Sequence, residues 1–150
     1  MRKLLLIAGL SALVFASAAF ASDTITHPEV RSVVEPPFSN SGKTSLDGSV
    51  RMFFAGQDTP VVLSELGEAR TSRKANAVGK RGDFACKWAM LSALLALQQQ
   101  AKSLGANAVV DIASNYDNQP YRSATQYECH SGAIMSGVAL KGRYAKIADR

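Results

Sequence analysis

DFACKWAMLSALLALQQQAKSLG, residues 83–105, is the stretch on which the fold turns. Asp83 reads as a helix N-cap, the apolar period starts at Phe84, and Leu104-Gly105 is a C-terminal stop with Lys102 in the last turn. At ~100° per residue, Cys86, Met90, Ala93, Leu94, Leu97, Ala101 and Leu104 fall on one face. Phe84, Trp88, Leu91 and Leu95 fall on nearly the opposite one. A helix apolar on two faces must be covered twice. The first face runs the full length and is expected to lie on a sheet. The second stops before Gln98 and Gln99, so either the N-terminal segment or another subunit is expected over the first three turns. The stripe Phe84, Trp88, Leu91, Leu95 is thus the candidate contact surface, for a homo-oligomer or an envelope partner.

Working outward, residues 108–113 (AVVDIA) read as a buried strand and 116–121 as a turn. Residues 125–130 and 134–140 read as two further strands separated by Ser131-Gly132-Ala133. Upstream, 50–55 (VRMFFA) reads as a strand, and 61–63 with 66–69 as a second one broken at Gly67. The five basic residues Arg70, Arg73, Lys74, Lys80 and Arg81 are interleaved with Ser, Asn, Ala and Gly. This pattern predicts a mobile cationic loop and a candidate contact for an anionic surface. The expected fold is α+β, an α/β two-layer βαββ sheet with one long helix packed on it, over residues 49–150. Residues 22–48, rich in Pro, Ser, Asn, Gly and Thr, are expected to be a flexible N-terminal segment.

The first 21 residues carry a separate message. Met1-Arg2-Lys3 is a cationic start, residues 4–15 are an apolar run, and Ala19-Phe20-Ala21 fits the small-residue cleavage rule. The run is shorter than the roughly 20 apolar residues that span a bilayer. A secretory signal peptide cut between Ala21 and Ser22 is expected, and with it a periplasmic or secreted protein. Ser22, Asp23 and Thr24 follow the junction where a lipoprotein would carry cysteine, and no second apolar run of membrane length occurs. Removing Arg2 and Lys3 lowers the formal net charge from +5 to +3, only mildly basic. The two cysteines, Cys86 and Cys129, are an even count in an exported chain, which favours one intramolecular disulfide. Periodicity agrees. If Tyr127 marks the core face of its strand, Cys129 shares that face, while Cys86 lies on the full-length stripe of the helix.

The helix from Cys86, with Leu91-Ser92-Ala93-Leu94-Leu95 and Leu104-Gly105-Ala106-Asn107-Ala108-Val109-Val110, resembles the YbjQ-like families. Tyr127-Glu128-Cys129-His130 and residues 132–140 extend the resemblance across most of residues 50–141. These families include the cytosolic, ring-forming YbjQ proteins and the disulfide-stapled outer-membrane stress sensor RcsF. They also include small exported proteins commonly called "excinuclease ATPase subunit". The resemblance implies a βαββ domain in the cell envelope and brings no residue-level catalytic site. The chain lacks the lipid-anchor cysteine of RcsF.

The ATPase name fails a direct test. Gly42-Lys43-Thr44 supplies the tail of a phosphate-binding loop, but Pro37 occupies its first glycine position. Proline removes a backbone donor where donors must wrap phosphate. No ATP and no other cofactor is therefore expected. Metal binding would draw on His27, His130, Cys129 and Glu128. Neighbours on a strand point in opposite directions, which leaves Glu128 and His130 on one face, too few for a tight site unless subunits combine. No nucleophile motif is present, and Ser131 beside His130 is a neighbour in sequence only. The expectation is an exported, non-enzymatic binding module with no catalytic residues. The alternative is an oligomeric metal- or anion-binding protein.

Overall fold

The computed structural model describes residues 23–36, 38 and 45–149. The expected leader, its junction at Ala21-Ser22, and Pro37 and Gly42-Lys43-Thr44 lie outside the described residues. In chain order the elements are β1 (Thr24–Thr26), α1 (Arg31–Val34), β2 (Arg51–Phe54), β3 (Val62–Asn76), α2 (Gly82–Ser103), β4 (Ala108–Ser114), β5 (Cys129–Ser131) and β6 (Met135–Ile147). Tyr116–Asn118 forms a single 3-10 turn between β4 and β5.

Strand β6 organises the sheet. One edge pairs antiparallel with β3 along its whole length, from Val62↔Ile147 to Asn76↔Met135. The other edge pairs with β4 near its C-terminal end and with β5 near its N-terminal end. Outer strands then add to these, β2 parallel to β4 and β1 antiparallel to β5. Since β3 and β4 both run against β6, they are parallel to each other, and α2 makes the crossover that such a pair requires. The result is a mixed α/β fold with one long helix on one face of a six-stranded sheet.

The helix behaves largely as its apolar spacing predicts. Cys86, Met90, Ala93, Leu94, Leu97 and Ala101 are each 1 % exposed or less. Burying side chains such as Leu94 and Leu97 contributes about 2 kcal/mol each. Two details differ. The N-cap is Arg81, without a side-chain cap bond, and Asp83 sits in the first turn, where its charge still favours the helix dipole. Leu104 is the C-cap and is 40 % exposed, because the chain leaves the stripe there. Gly105, at φ 71°, ends the helix. Its N–H donates to the Lys102 carbonyl, and that of Ala106 donates to Ala101, the paired closure for which a left-handed glycine is suited.

Three expectations about organisation are corrected. The broken strand and mobile loop are one continuous 15-residue strand, β3, in which the Gly67 break is a bulge between Glu65 and Glu68. Pairing with the apolar β6 overrides the weak strand propensity of 70–76. The strand placed at 125–130 is only Cys129–Ser131, whereas the last strand runs on to Ile147. Finally, part of the 22–48 segment is built into the domain. β1 lies on β5, Val30 N–H donates to the Thr125 carbonyl, and Val30 and Val33 are buried.

Gln98, read above only as the end of an apolar stripe, fastens the same segment further on. It is 3 % exposed; its Oε1 accepts from the Asp47 N–H at 3.1 Å, and its Nε2 donates to the Ser45 carbonyl at 3.3 Å. The exposed carboxylate of Asp47 also pairs with Lys102, whose side-chain hydrogen bond is the main cause holding that carboxyl far below the usual carboxylate range. Gln98→Ala should cost about 1–3 kcal/mol by stranding two backbone groups. Amide exchange at Asp47–Val50 should quicken at the same time. The exposed Gln99→Ala serves as control, and equal urea midpoints for the two variants would remove Gln98 from this role.

Candidate functional site

The disulfide is present. Cys86 on the second turn of α2 and Cys129 on β5 are bonded, with Cα atoms 5.9 Å apart. Both sulfurs lie in the layer between helix and sheet, as the two periodicities require. Ser131, two residues along the same strand, faces that layer too, with its Oγ 3.3 Å from Cys86 Sγ and 2.9 Å from Ser136 Oγ. It therefore points away from His130, and the two are neighbours in sequence alone.

On the opposite sheet face, Glu128 and His130 do meet, and the folded N-terminal segment adds a third group. Glu128 Oε1 is 2.7 Å from His130 Nε2, and Glu128 Oε2 is 3.5 Å from His27 Nε2. Tyr116 stacks on the His130 ring at 3.6 Å, nearly parallel, and Tyr121 packs on His27 at 4.3 Å. The Tyr116 hydroxyl is pushed above its ordinary pKa by burial first, then by the Asp23 and Asp117 carboxylates. Cys129 faces the other way, inside the disulfide. The imidazole nitrogens are turned to the carboxylate rather than to a shared vacant point. Among the described residues, no group of three or more His, Cys, Asp or Glu side chains is placed to hold a metal ion. What the cluster does is structural: His27 follows β1 and Glu128 precedes β5, so the contact between imidazole and carboxylate closes the edge where these strands pair.

The five basic residues do not form one patch. In β3, alternation turns Arg70 and Lys74 to the face away from α2, and Arg73 towards the helix, beside Leu95 and Gln99. Arg70 is spent on Glu68 at 2.7 Å. Only Lys80 and Arg81 lie in a turn, at the start of α2. The anion-binding loop is therefore corrected to two strand faces and one short turn.

The aromatic stripe is corrected as well. Leu91 is 1 % exposed and belongs to the core. Trp88 and Leu95 are half-buried against it, and Phe38 packs on Trp88 at 5.2 Å and on Phe84 at 6.2 Å. The chain's own N-terminal segment, one of the two expected covers, takes this place. Phe84 alone stays open, at 42 % exposure.

A different surface, missed in the sequence, is open along its length. β3 pairs with β6 on one edge, and among the described residues no strand pairs with the other. A groove of about 790 Å³ accompanies it, with Leu66, Thr71, Arg73, Ala96 and Gln100 in its walls. Its signal was legible only in part, since alternation at 69–75 is visible once the basic residues are not taken as a loop. No helix of the described residues is long and apolar enough to cross a membrane. No family model, curated protein or solved structure matches this chain.

Proposed function

We propose that the chain is a non-enzymatic binding module of the bacterial cell envelope, which assembles with a second copy of itself through β3. The observation that carries this reading is the free edge of β3, a 15-residue strand whose N–H and C=O groups at alternate residues face outward. Such an edge is a template for another strand. Its charges favour an antiparallel copy. The first half holds Glu65 and Glu68, the second Arg70, Arg73 and Lys74. Setting two copies antiparallel about Ala69 places Glu68 opposite Arg70 in both directions, both on the face away from α2, the self-complementarity of a two-fold interface. The buried disulfide and the expected signal peptide support an extracytoplasmic setting, and the resemblance of residues 50–141 to YbjQ-like and RcsF-like proteins supports an envelope role without chemistry.

Sedimentation of residues 22–150 over a range of concentrations tests the reading. A monomer–dimer equilibrium is expected. Arg70→Glu should abolish it, and mixing that variant with a Glu68→Arg chain should restore it. A parent chain that stays monomeric throughout, or a charge-reversed chain that dimerises equally well, overturns the proposal.

A further inference from the structure

Among the described residues, most exposed large apolar side chains gather at the two ends of the long strands. At one end the β3–α2 turn and the β5–β6 turn lie side by side, since Ala77 N–H donates to the Ile134 carbonyl at 2.9 Å. The start of α2 is held to the same end, with Cys86 Sγ 3.3 Å from Ser131 Oγ. Here Ile134 is 65 % exposed, Val78 59 %, Phe84 42 % and Met135 39 %. The part of their apolar surface left in water adds nothing to the fold.

Their neighbours are cationic. Lys80 and Arg81 separate Val78 from Phe84, Lys74 lies on β3 two residues before its end, and all three are exposed. Lys87 extends over the Phe38 ring at 5.9 Å. Asp83 and Asp23 also lie at this end, beside Lys80, Arg81 and Lys87. A ring of Lys and Arg around protruding Val, Ile and Phe is the composition that seats in the interface of an anionic bilayer, with apolar tips among the acyl chains and cations at the headgroups. The opposite end provides a contrast. Val61, Val62 and Leu63 are exposed there too, but Glu65 and Asp149 share that end with Lys146 and Arg143.

Strand β1 starts at this end: Thr24 pairs with Ser131, and a side chain at Gly132 would meet Asp23 Oδ1 at 3.0 Å.

We infer that this end of the protein, built from Val78, Lys80, Arg81, Phe84, Ile134 and Met135, docks on an anionic phospholipid bilayer. Docking does not depend on pairing through β3, because antiparallel copies carry their tips at opposite ends of the pair. Flotation of residues 22–150 with phosphatidylglycerol-containing vesicles, and with phosphatidylcholine vesicles alone, tests the inference. Binding is expected only to the anionic vesicles, and less of it as salt is raised. Lys80→Gln with Arg81→Gln should weaken it about thirtyfold. Val78→Ser with Ile134→Ser should weaken it at least about tenfold. Val61→Ser with Leu63→Ser, at the other end, should bind as the parent does. All these side chains are exposed, and an unchanged urea midpoint certifies each variant as folded. No flotation of the parent with phosphatidylglycerol, parent-like flotation of either tip variant, or an equal loss in the Val61, Leu63 variant overturns the inference. Pairing is read separately by sedimentation without lipid, so a monomeric chain that floats separates the two proposals.

Discussion

Replacing Cys86 and Cys129 together by alanine is expected to lower the stability of residues 22–150 by about 4 kcal/mol, the chain-entropy value for a loop of this size. The loop spans 43 residues and contains most of α2, all of β4 and the approach to β5. The drop corresponds to roughly 15 °C in melting temperature for a domain of this length. The position of the bond concentrates part of the loss. β5 is only three residues long, and it holds β1 on one side while pairing with β6 at just His130 and Ser131 on the other. The disulfide is thus a main tether of β5 to the helix layer. Amides of β1 and β5 should lose protection before those of β4 and β6. Urea unfolding of the oxidised parent, the double variant and the parent reduced with dithiothreitol checks the expectation. The last two should agree closely, and a difference between parent and variant below about 1 kcal/mol would show that the staple constrains little.

The residues that could be placed from sequence were those whose side chains obey one periodicity. The core stripe of α2, the Tyr127–Cys129 face of β5 and the disulfide between them all follow from periods of 3.6 and 2. The misplaced elements depend on partners. β3 between Arg70 and Asn76 has too many charges and small polar residues to read as a strand by itself, and becomes one because β6 supplies a pairing residue at each position from Glu68 to Asn76. His27 joins Glu128 and His130 only because β1 folds back on β5, across about a hundred residues of chain. No local signal in 22–30 announces that. The apolar turn residues Val78 and Ile134 are individually unremarkable, and their significance arises when the Ala77–Ile134 hydrogen bond brings the two turns together.

Gly142→Ala, a single added methyl, is expected to destabilise the fold by about 3 kcal/mol, near the top of the usual range for overpacking. The reason lies in β4. The register with β6 steps from Val110↔Arg143 to Ala113↔Lys141, so Asp111 and Ile112 together oppose Gly142. Asp111 takes a left-handed φ of 56°, uncommon for a residue with a side chain, to make this bulge. The extra residue switches the alternation of β4. Val110 lies with Ala108 in the small cluster on the face away from α2, whereas Val109 before the bulge and Ile112 after it both enter the main core. A regular strand would send Val109 and Ile112 to opposite faces. A Cβ on Gly142 would sit 2.8 Å from the Val110 carbonyl oxygen and 3.4 Å from Ile112 Cα, both of them backbone. Neither can swing aside, so the chain must either open the ladder or give up the bulge and misplace Ile112. Gly137 provides the comparison on the same strand. There an added Cβ meets the Tyr116 ring at 3.2 Å, and a side chain can yield, at the expense of its stacking on His130. Gly137→Ala should therefore cost under about 1 kcal/mol. Urea midpoints of the two variants decide the matter. Equal losses would mean that the bulge is pliant, and that the core does not depend on this one close approach between β4 and β6.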